Sequence, residues 1–223
     1  MQVHRPASAE QVVGWLHAAA DGHDEAAEQA LAAHAASGEA GAGRAYALLL
    51  AHRPGAAAAS ERIAVLEHAA EAGDALAATR LGEALLTSPT GGTADAAQAL
   101  RWLERAARSG VPEAMRRVGS LTLQRAVEPA QASAAVAWLR RAAEAGDGAA
   151  MFLLANALRA GQGVEADERE ALVWYERAAD AEYAPALHAL ALAYAHGELG
   201  LAADAAQSRL MDHEAAEASA HAK

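Results

Sequence analysis

The apolar residues of this chain recur at a fixed distance instead of forming long runs. From Trp102 to Gly110 the order is Trp-Leu-Glu-Arg-Ala-Ala-Arg-Ser-Gly, and closely similar strings return at Trp138–Gly146 and Trp174–Glu182. The three tryptophans stand 36 residues apart. One unit earlier, Val65–Gly73 keeps everything but the tryptophan; one unit later, Met211–Ser219 keeps the paired alanines. Ahead of each string lies a second row: Ala77-Leu81-Gly82-Leu85, Ala114-Val118-Gly119-Thr122, Ala150-Leu154-Ala155-Leu158 and Ala186-Leu190-Ala191-Tyr194. Ala9-Val13-Gly14-His17 and Ala45-Leu49-Leu50-Arg53 fit it less well.

Residues four apart share one face of a helix. Two alternating rows therefore predict two helices per unit, A then B. The expected A helices cover 7–20, 41–53, 75–87, 112–125, 148–160 and 184–196. The B helices cover 24–37, 59–72, 95–109, 131–145, 167–181 and 204–218. Gly82 and Gly119 each forfeit about 1 kcal/mol of helix propensity relative to alanine, which points to a neighbouring helix passing too close for a β-carbon. Gly73, Gly110 and Gly146 stand where a left-handed residue ends a helix. Asp95, Asp167 and Asp204 precede Gln98, Glu170 and Gln207 by three, the spacing of a capping box. Breaker-rich loops, such as Ser88–Gly92 and Gly161–Gly163, separate A from B.

A repeat of this length predicts an all-α architecture: a right-handed solenoid of about six antiparallel helix pairs, with each pair packing only on its neighbours. The expected repeats are 5–40, 41–72, 73–109, 110–145, 146–181 and 182–219, forming one domain over 5–219 with a tail at 220–223. Trp102, Trp138 and Trp174 are expected to form the structural seam between successive repeats.

Composition sharpens this picture. Hydrophobic residues make up 53% of the chain and aromatics 4%, because the apolar share is mostly alanine, the strongest helix former. The formal net charge is −11, an unfavourable balance for nucleic acid or anionic membranes. There is no cysteine, which excludes disulfides, thiolate metal sites and cysteine nucleophiles. Polar residues interrupt every apolar run, so no bilayer span is predicted. No apolar signal core follows Met1, and a cytoplasmic location is the expectation.

The row from Ala150 to Ala179 resembles the Sel-one-like repeat (SLR) family. It carries Ala150, Leu154, Gly161, Gly163, Val164, Ala171, Trp174, Tyr175, Ala178 and Ala179 at the family's positions. The likeness extends well over 60–216 and weakly over 5–58. Departures are Ala155 and Ala191 at the glycine position, Leu158 at the tyrosine position, and Ala33, Val65 and Met211 at the tryptophan position. The tetratricopeptide repeat is the near alternative, but its unit is about 34 residues with its signature tryptophan on the first helix. Resemblance to SLR proteins implies an adaptor that gathers partners on its curved surface.

Candidate chemistry is sparse. His188 and His196 share one predicted helix but lie about 12 Å apart along its axis, too far to ligate one ion together. Gly161-Gln162-Gly163 lacks the lysine and hydroxyl of a phosphate loop. His23-Asp24 is an isolated dipeptide, and Glu168 and Glu170 suit the first turn of a helix. No catalytic residue, metal site or cofactor is expected. Arg105, Arg141 and Arg177 recur three residues after each tryptophan, with His68 in register. They read either as an ion-pair ladder with Glu104, Glu144 and Glu176 or as a ligand-reading stripe.

These observations predict a non-enzyme: a scaffold or adaptor that holds another protein or peptide on the concave wall made by the A helices. An inhibitor or immunity-type protein is one variant, and monomer is the favoured state. The alternative is a substrate-recruiting or regulatory module of a larger enzyme. Expected contact residues are Gln11, Trp15, Thr79, Glu83, Arg116, Ser120, Phe152, Asn156, His188 and Leu192, with Arg159 and His196 extending the row. Trp15 and Phe152 equally suit packing between repeats.

Overall fold

The computed structural model describes residues 6–22, 24–87 and 93–221, which form twelve α-helices and no strand. The A helices are α1 (Ala9–Gly22), α3 (Ala40–Ala51), α5 (Ala75–Leu86), α7 (Pro112–Arg125), α9 (Gly148–Ala160) and α11 (Ala184–His196). The B helices are α2 (Glu25–Ala36), α4 (Ala56–Glu71), α6 (Thr93–Arg108), α8 (Pro129–Glu144), α10 (Glu168–Asp180) and α12 (Ala205–His221). The fold is an all-α helical repeat, and the helix pairs fall where the apolar periodicity puts them. The predicted Ser88–Gly92 loop and His23 lie outside the described residues. Among the described residues no helix is long and apolar enough to cross a membrane.

Helix ends follow local chemistry. Asp24, Asp74, Asp147, Asp167 and Asp204 each accept from backbone N–H groups of the turn they begin, satisfying donors that have no partner inside the helix. Only part of the expected capping-box set forms. Asp167 and Asp204 cap α10 and α12, but the Glu170 carboxylate turns to Arg140 and Trp174 instead of back to the cap. Asp95 falls inside α6, not ahead of it. The reciprocal arrangement appears instead at Ser8 and Gln11, where each side chain bonds the other's backbone N–H. Gly73, Gly110 and Gly146 adopt φ of 102°, 92° and 92°. Glu182 holds the matching position after α10 at φ 55°, a conformation that a side chain disfavours.

The chain divides into two compact units, Met1–Val111 and Pro112–Lys223. In each, every B helix packs on the A helix before it and, where one follows within the unit, on the A helix after it. The α3–α4 pair is antiparallel, since Gly43 faces Ala69 while Tyr46 reaches Glu61. Small residues set how closely the axes approach. A β-carbon on Gly82 would lie 2.6 Å from Leu103 Cγ and 3.1 Å from the Ala99 carbonyl oxygen. One on Gly119 would lie 2.8 Å from Leu139 Cγ and 2.9 Å from the Ala135 oxygen. Alanine columns complete the core: Ala77, Ala114, Ala150 and Ala186 on A helices, and Ala99, Ala135 and Ala171 on B helices, are all fully buried.

Two rows shift from their sequence register. In α3 the inward row is Ala42-Tyr46-Ala47-Leu50, three residues ahead of the expected Ala45-Leu49-Leu50-Arg53, with Arg53 in solvent. In α1 the expected Ala9-Val13-Gly14-His17 faces water, and Val12, Trp15 and Leu16 turn inward to pack with Leu31 and Tyr46.

Candidate functional site

Counting five residues on from the residue that precedes each A helix after α1 gives Arg44, Thr79, Arg116, Phe152 and His188. The last four belong to the expected contact wall, but the structure commits three of them to packing. Thr79 is only 1% exposed and donates its hydroxyl to the Ala75 carbonyl at 2.9 Å, so it offers a partner nothing. Arg116 donates from Nε to Asp147 at 3.0 Å, tying α7 to the cap of α9. Phe152 sits between Tyr175 and Tyr183, ring centroids 5.8 and 5.6 Å away. Arg44 repeats the Arg116 device, with Nη1 2.8 Å from both oxygens of Asp74, the cap of α5. His188 stays exposed, with Nδ1 3.1 Å from Asp212 of α12.

Four residues further along each helix the chain is more open. Leu48 and Leu192 are each 51% exposed, Asn156 is exposed, and Ser120 and Glu83 are half-buried. Asn156 accepts from the Tyr175 hydroxyl at 2.5 Å; burial pushes that phenol's pKa up, and Arg159 opposes the shift. Arg159 lies 3.7 Å from Glu198. His196 is exposed, whereas Gln11 is engaged in capping α1. Trp15 is half-buried with its ring 4.9 Å from that of His34, a packing role.

The tryptophan column is graded. Trp174 is 5% exposed and its indole N–H donates to Glu170 at 3.2 Å. Trp102 and Trp138 are half-buried. The recurrent arginines lie over these rings, at 5.4 Å for Arg105 on Trp102, 4.5 Å for Arg141 on Trp138 and 4.7 Å for Arg177 on Trp174. The ion-pair ladder is thus replaced by a cation stacked on each aromatic face, and Glu104 pairs with Arg108 instead.

Sequence reasoning missed a groove between α3, α4 and α5. Leu48, Ala51 and Leu66 supply its apolar lining, Arg44, Arg62 and Arg80 its cations, and its volume is about 400 Å³. Glu83 also lines it, 2.8 Å from Arg80. An adjoining hollow of about 490 Å³, lined by Val12, Val13 and Leu16 of α1, shares Arg44 and Leu48 with it. One signal was available in the sequence: Arg62 stands three residues before the tryptophan column, where Ala99, Ala135 and Ala171 stand in later repeats. Among the described residues no three His, Cys, Asp or Glu side chains gather as a metal site would require.

The Sel1 repeat model matches residues 75–111, 112–147, 148–183 and 184–218, each unit opening at an A helix. Two solved structures share the architecture. A protective antigen present in uropathogenic Escherichia coli strains, displaying an SLR fold, aligns at 25% identity over 93% of this chain with a TM-score of 0.76. The chain spans about half, 48%, of that antigen's length. A Sel1 repeat protein from Oxalobacter formigenes aligns at 28% identity over 86% of this chain and 76% of its own, with a TM-score of 0.74. No curated protein matches the chain. With four family units covering well over half its length and the helix pairs, alanine columns and close glycines in place, the chain belongs to the Sel1 repeat family.

Proposed function

We propose that this chain is a non-catalytic scaffold in the cytoplasm that holds a protein partner on the face formed by its A helices. The observation that carries the reading is that one equivalent A-helix position stands open in each of the two units. Leu48 and Leu192, equivalent residues of α3 and α11, are half exposed although large and apolar, and Asn156 stands open at the same position of α9. Exposed apolar side chains grouped with polar neighbours mark contact surfaces more often than isolated ones do. Several charged side chains elsewhere are committed to architecture: Asp74 and Asp147 to caps and joints, Glu170 to Arg140 and Trp174. The lack of cysteine and the dispersed histidines support a role without chemistry of its own. The carboxylate excess, net −11, favours a protein partner over nucleic acid or an anionic membrane.

The test is affinity capture from native lysate with the wild-type chain, then with Leu48→Asp, Leu192→Asp and, as an outer-face control, Arg108→Ala. The reading expects a stoichiometric protein that the two aspartate variants lose and the control keeps. A partner lost with the control and kept by both aspartate variants places the contact on the B helices and refutes it.

A further inference from the structure

Arg62 is the residue that repeat architecture least explains. Its column, three residues before the tryptophan position, holds Ala99, Ala135 and Ala171 in the following B helices, each fully buried against its A helix. An arginine there replaces a methyl group with a long cation, and α4 leaves it half-buried on the groove wall. Placing a guanidinium away from water carries a desolvation cost unless a carboxylate or comparable acceptor meets it. Half-buried arginines elsewhere have one: Arg44 has Asp74, Arg116 has Asp147 and Arg140 has Glu170. Arg62 makes no hydrogen bond or ion pair with any described residue. In a chain with 29 acidic residues against 18 lysines and arginines, a cation left without a carboxylate is informative.

Its surroundings indicate what could meet it. Arg44 and Arg80 line the same groove, the first paired with Asp74 and the second with Glu83, so Arg62 is the guanidinium there that no carboxylate of the wall meets. The remaining lining, Ala47, Leu48, Ala51 and Leu66, is apolar. Through Arg44 and Leu48 the groove continues into the hollow under α1, whose lining is mainly aliphatic, with Arg44 as its cation and Glu39, paired with His34, as its carboxylate. The two together form an elongated trough, aliphatic at the α1 end and cationic at the α4–α5 end.

We infer that this trough takes an extended segment of a protein partner in which aliphatic side chains are followed by aspartate or glutamate, and that Arg62 receives one of those carboxylates. The inference deepens the scaffold reading and rests on it. The aliphatic part fills the hollow beside Val12, Val13 and Leu16, while the acidic part lies over Arg62, in the stretch of groove that Arg44 and Arg80 also line. Guanidinium–carboxylate pairing is charge-assisted and fork-shaped, which supplies direction along the segment as well as affinity. A free phosphate would satisfy the cations but leave the aliphatic half of the trough empty.

The experiment probes the full chain with an array of immobilised decapeptides whose aliphatic and acidic positions are varied independently. Matched arrays carry Asn and Gln, or Lys, in place of the acids. Arg62→Ala is the informative variant, because alanine is what the next three repeats carry there and the helix pair should keep its melting temperature. The expected result is retention only on peptides combining both features, weakened by salt. Arg62→Ala should weaken it about tenfold, and Arg62→Lys should weaken it less. Equal retention on the Asn and Gln array, unchanged retention by Arg62→Ala, or displacement by millimolar inorganic phosphate would each overturn the assignment. So would a wild-type dimer in light scattering that Arg62→Ala dissolves, since a second copy would then be the occupant. If no acidic peptide binds while a captured partner still depends on Leu48 and Leu192, the scaffold reading stands and the acidic segment falls.

Discussion

Two glycines inside A helices should respond in opposite directions to the same substitution. Gly14 lies in α1 and Gly119 in α7, so Gly→Ala brings each the same intrinsic gain of about 1 kcal/mol in helix propensity. At Gly14 nothing lies within 4 Å of the new β-carbon, so the gain is realised and stability should rise by about 0.5–1 kcal/mol. At Gly119 the β-carbon meets Leu139 Cγ at 2.8 Å and Cδ2 at 2.9 Å, and the Ala135 backbone oxygen at 2.9 Å. The leucine can rotate away at the cost of a rotamer, but the carbonyl belongs to α8 and moves only if the helices separate. Overpacking of this kind costs about 1–3 kcal/mol, enough to outweigh the propensity gain. Gly119→Ala should therefore lose about 1 kcal/mol net, read as a lower urea midpoint at unchanged slope by circular dichroism. Leu139→Ala added to it should not restore the loss, because the carbonyl remains. Stabilisation by Gly119→Ala equal to that by Gly14→Ala would mean that α7 and α8 do not approach this closely.

Three further outcomes follow from particular contacts. Glu182→Gly should stabilise by about 0.5–1 kcal/mol in the same denaturation assay, since it removes a side chain from the left-handed position that glycine holds after four other B helices; a loss would show the side chain making a contact worth more than the strain. Asp147→Ala should cost about 1 kcal/mol as a lost cap, and a double-mutant cycle with Arg116→Ala should return an additional coupling of about 1 kcal/mol, with zero coupling refuting the joint. Hydrogen bonding from Arg140 holds the Glu170 carboxyl below the ordinary glutamate range. A depressed folded pKa contributes stability above the unfolded value of about 4.3 and loses it as pH falls through the folded value. Glu170→Gln should flatten that part of the acid limb, and an unchanged limb in pH-dependent melting would refute the assignment.

Most of the fold was legible because the 36-residue recurrence is carried by tryptophan, paired alanine and glycine, which mark helix faces and ends at once. Legibility failed where alanine is abundant enough to support two rows. In α3, Ala45-Leu49-Leu50 mimics the spacing of the true row, and Tyr46 in an aliphatic position disguises it. The tyrosine fits because its hydroxyl donates to Glu61 at 2.7 Å while its ring is buried, an arrangement that raises its pKa to about 12, burial first and Glu61 second. The wall residues were harder still. Whether Arg116 reads a partner or ties a joint depends on where Asp147 begins the next A helix, which periodicity alone does not disclose. Phe152, held between two tyrosines, cannot be truncated without disturbing the fold.

The joints themselves suggest why few cations remain for a partner. Asp74 and Asp147 each cap an A helix and at the same time receive the arginine of the A helix before it. One carboxylate thus serves helix initiation and repeat stacking, so neither can change without the other. Where the preceding residue is Tyr183 instead of aspartate, the joint becomes aromatic and the arginine position holds Phe152. The chemistry of the fifth position therefore follows the chemistry of the next cap, as it would if stacking and not recognition had selected it. The positions that stacking does not use are the exposed Leu48, Asn156 and Leu192 of their separate A helices, and a cation such as Arg62 that stands where three later B helices carry alanine, and these are the positions to which the proposed recognition falls.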